Sequence, residues 1–187
     1  MKKILLISFI TTSVFFASCD KLKELTSFSQ DFDYKEFIDV PGLPSQQTQL
    51  PQGGASESLP RFGIATNSKE HIEKYKTATN LITDVLLSKL NMTITNPLNS
   101  NFNYVDTIQL YVSSSASGTN EQLIAYKNNI AKGIQKVDLD VTNINLKEYF
   151  ILDSMYYRVY AHFVEIPAKE TRVELNTTLT MKASLLQ

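Results

Sequence analysis

The feature that most limits what this chain can fold into is a side-chain period of two that returns along most of its length. Phe28, Phe32, Tyr34, Ile38 and Val40 share one parity, while Asp31, Asp33, Lys35 and Asp39 take the other. A strand points successive side chains to opposite faces, so this spacing predicts a strand with one face buried. The same pattern recurs at Leu90, Met92 and Ile94, at Ile108, Leu110 and Val112, and at Val137, Leu139 and Val141. Leu123 to Tyr126 adds a short apolar strand. The last two segments are the clearest: Met155, Tyr157, Val159, Ala161 and Phe163 form one face, and Val173, Leu175, Leu179, Met181 and Ala183 another, with Pro167 to Glu170 between them. Seven or so half-buried strands predict an all-β fold, an antiparallel β-sandwich of Greek-key type. An up-and-down barrel is the rival.

Three stretches leave the period of two. Asn67 precedes Glu70 at capping-box spacing, and Ile72, Tyr75 and Ile82 recur at helical intervals, which predicts one short helix over 68–77. Leu146 to Ile151 reads as a helical turn. Residues 41–60 hold four of the six prolines and three of the six glycines, with Ser and Gln between them, and read as a long loop. No internal boundary follows, so 28–187 is expected to be a single domain that includes this loop.

The beginning of the chain has a different character. Lys2-Lys3 leads into an apolar run from Ile4 to Phe16, which ends at Phe16-Ala17-Ser18-Cys19, the only cysteine. A charged start, a short apolar core and small residues before a cut suit secretion and cleavage. The run is shorter than the roughly 20 apolar residues a helix needs to span a bilayer. Phe16-Ala17-Ser18-Cys19 resembles the lipobox of bacterial lipoproteins, with Phe16 in the slot usually held by Leu. The resemblance implies a signal peptide over 1–18, and a Cys19 carrying a diacylglyceryl thioether and an N-acyl chain of the palmitate class. Residues 19–27 then form a lipid-proximal tether, and the membrane becomes a partner through acylated Cys19. Several acyl chains together exceed the single chain that gives only marginal binding. Lipidation also accounts for an odd cysteine in an exported protein.

Charge narrows the partners further. Of 18 Lys and Arg residues, Lys2 and Lys3 fall in the leader, so the remaining 16 face 19 Asp and Glu, a net charge of −3. Such mild acidity argues against nucleic acid, whose binding relies on clustered cations. Lys21 and Lys23, flanked by Asp20 and Glu24, make a weak patch beside the lipid.

Motifs for catalysis are scarce. The two histidines, His71 and His162, fall far apart, with no metal-ligand spacing. Gly54-Ala55-Ser56-Glu57-Ser58 starts like a nucleophile elbow but lacks the closing glycine. Asp138 and Asp140 with Asn143 and Asn145 offer oxygen ligands of the kind Ca²⁺ accepts, yet they miss the EF-hand spacing, and a solvated strand face is the commoner reading. No cofactor is expected. Tyr156, Arg158, Tyr160 and His162 line the face opposite Met155 and Phe163, a strip that suits stacking on a sugar or anchoring a partner. The alternative is that it packs beneath the helix or the long loop. The 41–60 and Ser113–Glu121 loops are further candidates for recognition, with solvated connectors as the ordinary expectation.

Taken in order, the acylated Cys19, the first strand ending in Asp39-Val40-Pro41, the stretch from Val85 to Pro97, Ile108-Gln109-Leu110-Tyr111-Val112 and the Leu146-Lys147-Glu148-Tyr149 turn resemble the lipid-anchored, immunoglobulin-like sandwich proteins of Bacteroidota cell envelopes. That resemblance implies a fold and an address in the envelope, expected at the outer membrane, with either face open. It implies no activity. Asp106-Thr107-Ile108 and Asp153-Ser154-Met155 resemble the short O-glycosylation motif of such exported proteins, which implies Thr107 and Ser154 as acceptors. The expected function is therefore a non-catalytic, lipid-anchored module that binds an envelope protein or glycan. A hydrolase built from dispersed carboxylates and a purely structural envelope component are the alternatives.

Overall fold

The computed structural model describes residues 27–41, 50–167 and 169–184. Its architecture is best followed from the last strand. Val173, Leu175, Leu179, Met181 and Ala183 of Thr171–Ser184 are buried on one face, as the period of two requires, and Arg172 and Lys182 lie exposed on the other. This strand, β10, lies antiparallel to β1 (Ser27–Val40) on one side and β4 (Ile82–Asn96) on the other. A short strand, β7 (Lys136–Asp138), extends β4's far side, so sheet A runs β1-β10-β4-β7. Sheet B is built around β9 (Ser154–Phe163), which pairs with β5 (Val105–Ser113), followed by β6 (Gln122–Lys127) and β8 (Asp140–Val141). The other side of β9 is shared by β2 (Ala55–Ser58) at its C-terminal half and β3 (Phe62–Ala65) at its N-terminal half.

The expected antiparallel β-sandwich is therefore the fold, and the strand order specifies it further. Nested pairs run inward along the chain: β1 with β10, β2 and β3 with β9, β4 with β7, and β5 with β6. Rolled into two sheets, this nesting is the double Greek key of a jelly roll. The immunoglobulin order puts the first and last strands in different sheets, whereas here they are neighbours. Between the sheets lie Leu90, Leu110, Ile124, Met155, Tyr157, Leu175 and Leu179, each fully buried.

Two α-helices stand among the described residues. Helix α1 spans Ser68–Lys74, shorter than the expected 68–77, because Ile82 belongs to β4 and no longer extends the helical spacing. Its start also differs from the capping box. Asn67 sits in the left-handed region at φ 51° with no side-chain capping bond, and the Thr66 hydroxyl accepts the Ser68 N–H instead (3.3 Å). The helix packs on the inner side of β1: the His71 ring lies tilted with its centre 4.1 Å from that of Phe32, and Tyr75 meets both Phe28 and Phe32. Burial there pushes the His71 imidazole below its ordinary pKa. Helix α2, Lys147–Phe150, is the predicted turn, entered through Asn145, whose Oδ1 accepts the Val85 and Lys147 N–H groups.

The stretch read as a long loop, 41–60, contains β2. Its Ala-Ser-Glu-Ser sequence has no apolar period, and it is held by backbone pairing to β9, which any side chain permits. No helix among the described residues is long and apolar enough to cross a membrane. The signal peptide, Cys19 and most of the 19–27 tether fall outside the described residues.

Candidate functional site

Sheet B has an outer face whose side chains fall in rows across the strands. β9 alternates buried Met155, Tyr157, Val159 and Ala161 with half-buried Tyr156, Arg158, Tyr160 and His162, so the predicted strip is a single outward file. Residue pairing extends that file sideways. Tyr160 stands opposite Ser58 of β2 and Gln109 of β5, and Gln109 stands opposite Tyr126 of β6. One straight row thus reads Ser58, Tyr160, Gln109, Tyr126. Among the described residues Tyr126 is one of the few large hydrophobic side chains left well exposed, at 38 %. On one side of this row Arg158 pairs with Tyr111, and the row on its other side holds Ser56, His162 and Thr107.

The helix does not cover this face, because Ile72 and Tyr75 are satisfied on the inner side of β1. Among the described residues, the loop meets this face along its β2 edge. His162 Nε2 lies 2.9 Å from the Gly53 carbonyl, which can only accept, so this nitrogen carries the proton. Its Nδ1 lies 2.8 Å from the Ser56 hydroxyl. A catalytic triad puts a carboxylate on the ring nitrogen remote from the serine. Here that place belongs to a backbone carbonyl, so the pair reads as a clasp joining β2 and its preceding turn to β9.

At the centre of the face sits an ion cluster that sequence reading missed. Glu121 accepts Arg158 Nε on Oε1 (2.8 Å) and Arg158 Nη2 on Oε2 (2.6 Å). The same Oε1 accepts Nη2 of Arg61 (2.7 Å). These bonds, Arg158 first, hold the Glu121 carboxyl at about 2. Arg158 also donates Nη1 to the Ser58 hydroxyl and lays its guanidinium 4.5 Å from the centre of the Tyr111 ring. Tyr111 in turn donates to Gln109 Oε1 (2.8 Å). The cluster therefore braces the neighbouring row from the side, through Ser58 and Gln109. Glu121 is itself set by the fold: the phenol of buried Tyr149 on α2 donates to the Asn120 carbonyl (2.6 Å), and burial pushes that phenol up to about 12. The Ser113–Glu121 loop is thus part of the face. No local signal could have found it, since Arg61 and Glu121 are 60 residues apart.

The other candidates are dispersed. Thr107 and Ser154, the proposed O-glycosylation acceptors, are half-buried, Thr107 beside His162 and Ser154 at the start of β9 opposite Ala65. Asp140 pairs with Lys127 (3.3 Å) and Asp138 with Lys136 (3.7 Å), while Asn145 is occupied at α2, so the four oxygen ligands read from sequence do not converge. Among the described residues no group of three His, Cys, Asp or Glu side chains is placed to hold a metal ion. An apolar cleft between the sheets, lined by Ile38, Met92, Phe102, Ile108, Val159 and Val173 among others, holds only about 30 Å³, the room of one water molecule.

Fold and face together define a jelly-roll β-sandwich that presents a tyrosine-rich sheet surface. No protein-family model matches the chain, and no curated protein does. Among solved structures it is similar to the decameric BFDV capsid protein, with TM-score 0.45 and 8 % identity over 84 % of this chain and 98 % of that one. It is also similar to the desmodium yellow mottle tymovirus structure, with TM-score 0.30 and 13 % identity over 100 % and 97 % of the two chains.

Proposed function

We propose that this protein is a lipid-anchored cell-envelope protein of the Bacteroidota type, a non-catalytic module that binds an envelope glycan or protein through the outer face of sheet B. The observation that carries the reading is the outward-facing row Ser58, Tyr160, Gln109, Tyr126, braced by the Arg158–Glu121 cluster. Tyrosine supplies contact area at low conformational cost with a polar tip, and bracing leaves little freedom to lose on binding. The Phe16-Ala17-Ser18-Cys19 string supports the anchor. Anchoring raises the local concentration of the face for partners in the same envelope layer, so modest affinity suffices.

The test replaces both tyrosines of the row, Tyr126→Thr with Tyr160→Thr, which keeps β-forming residues on the sheet. Affinity capture from native envelopes by the double variant should fall at least tenfold against the parent, with an unchanged melting temperature. Equal capture by both proteins contradicts the reading.

A further inference from the structure

The row of the proposed face is electrically lopsided. At its β6 end Lys127 donates to both oxygens of Asp140 (3.3 Å), a neutral pair beside Tyr126. At its β2 end two guanidinium groups share the single Glu121 carboxylate, which leaves one surplus positive charge. Arg158 is engaged at all three of its nitrogens, with Nε and Nη2 on Glu121 and Nη1 on Ser58. Arg61 is not: Nε and Nη2 serve Glu121, and among the described residues Nη1 has no hydrogen-bond partner, while a quarter of the side chain is exposed. Gly118 makes room for it, since a Cβ there would lie 2.4 Å from Arg61 Nη2. Glu57, the nearest exposed carboxylate on β2, stands opposite buried Ala161 and so belongs to the other parity. The unpartnered Nη1 therefore borders the row, and the carboxylates of this face, Glu121 and Asp140, are already paired with Arg158 and Lys127.

Resting on the binding role proposed above, we infer that the occupant is an acidic polysaccharide: sugar rings lie on Tyr160 and Tyr126, and a uronate carboxylate meets the Arg61 guanidinium. Tyr160 and Tyr126 are two strands apart, roughly 9–10 Å, the reach of two linked sugar rings. A pyranose offers a C–H face to an aromatic ring and hydroxyls to its polar rim, and the Gln109 amide and Ser58 hydroxyl lie along that rim. A protein partner is the poorer match. Cores of protein interfaces are apolar and depleted in charge, whereas this row ends in hydroxyl, amide and guanidinium groups.

The experiment titrates the mature protein with oligogalacturonate, oligomannuronate, neutral cello-oligosaccharide and polyglutamate. Expected is binding of at least one uronate oligosaccharide, at least tenfold tighter than the neutral glucan and weakening as salt rises. Arg61→Gln should erase that preference and Arg61→Lys restore part of it, each at wild-type secondary structure by circular dichroism. Tyr126→Thr with Tyr160→Thr should abolish uronate binding. Equal binding of neutral and acidic sugars, lost in the tyrosine variant, overturns the inference and leaves the face standing. Binding of polyglutamate alone through the same tyrosines also overturns it and favours an acidic polypeptide. Failure of every probe overturns it too, and envelope capture by the tyrosine variant then decides separately on the face.

Discussion

Glu121 carries more of this molecule than any other single side chain on the face, because it holds together three segments remote in sequence: the β2–β3 connection through Arg61, β9 through Arg158, and its own loop. Its value follows from geometry. A carboxylate that accepts from two guanidinium groups while only 22 % exposed makes charge-assisted bonds of the stronger kind. Glu121→Gln keeps the shape and removes the charge, so it should cost about 1–3 kcal/mol in urea unfolding. The pH dependence has a definite sign. The folded carboxyl, at about 2, lies below its ordinary 4.5, so its stabilisation is complete above 4.5 and is lost as pH falls from there toward 2. Melting curves of the parent should show that loss, and those of Glu121→Gln should show a shallower decline across the same window. Identical slopes would show that the cluster does not couple to folding.

At the scale of elements, the interest lies in which strands a reader of the sequence can see. β1, β9 and β10 are visible because their parity never breaks, and the outward file Tyr156 to His162 comes with β9. β4 is visible only in its second half. Its pairing with β10 slips at Thr178/Leu179 and again at Lys182/Ala183, so buried residues change from Val85 and Leu87 to Leu90, Met92 and Ile94, and the period of two is interrupted. β2 and β3 have four residues each, too few to show a period, so their identity comes from β9. The same holds for the face. Which tyrosines share a row depends on register between strands, and register is a property of pairing that one strand's spacing cannot reveal. The docking of β2 offers a clean check. Gly54 has φ +90°, and a Cβ there would lie 2.4 Å from the Phe163 carbonyl oxygen and 2.8 Å from His162 Nε2. Gly53 has φ +94° but open space around it. Gly54→Ala should therefore lower stability by about 1–3 kcal/mol and speed hydrogen exchange of residues 55–58, while Gly53→Ala shows the smaller backbone effect alone.

The whole molecule is a rolled sandwich whose first strand, β1, starts eight residues after Cys19. Sheet A has β1 as one edge strand, and sheet B presents its tyrosine rows away from the core. Permanent attachment at Cys19 would turn this small surface into a high local concentration of weak binding sites at one layer of the envelope. The proposed role therefore depends on the anchor before it depends on any contact. Intact-mass analysis of the native mature protein, with its N-terminal peptide sequenced, tests that dependence directly. The account predicts a chain beginning at Cys19, heavier by a diacylglyceryl group and an N-acyl chain, and partitioning into the detergent phase. An unmodified cysteine, or a chain beginning at another residue and staying in the aqueous phase, would contradict it.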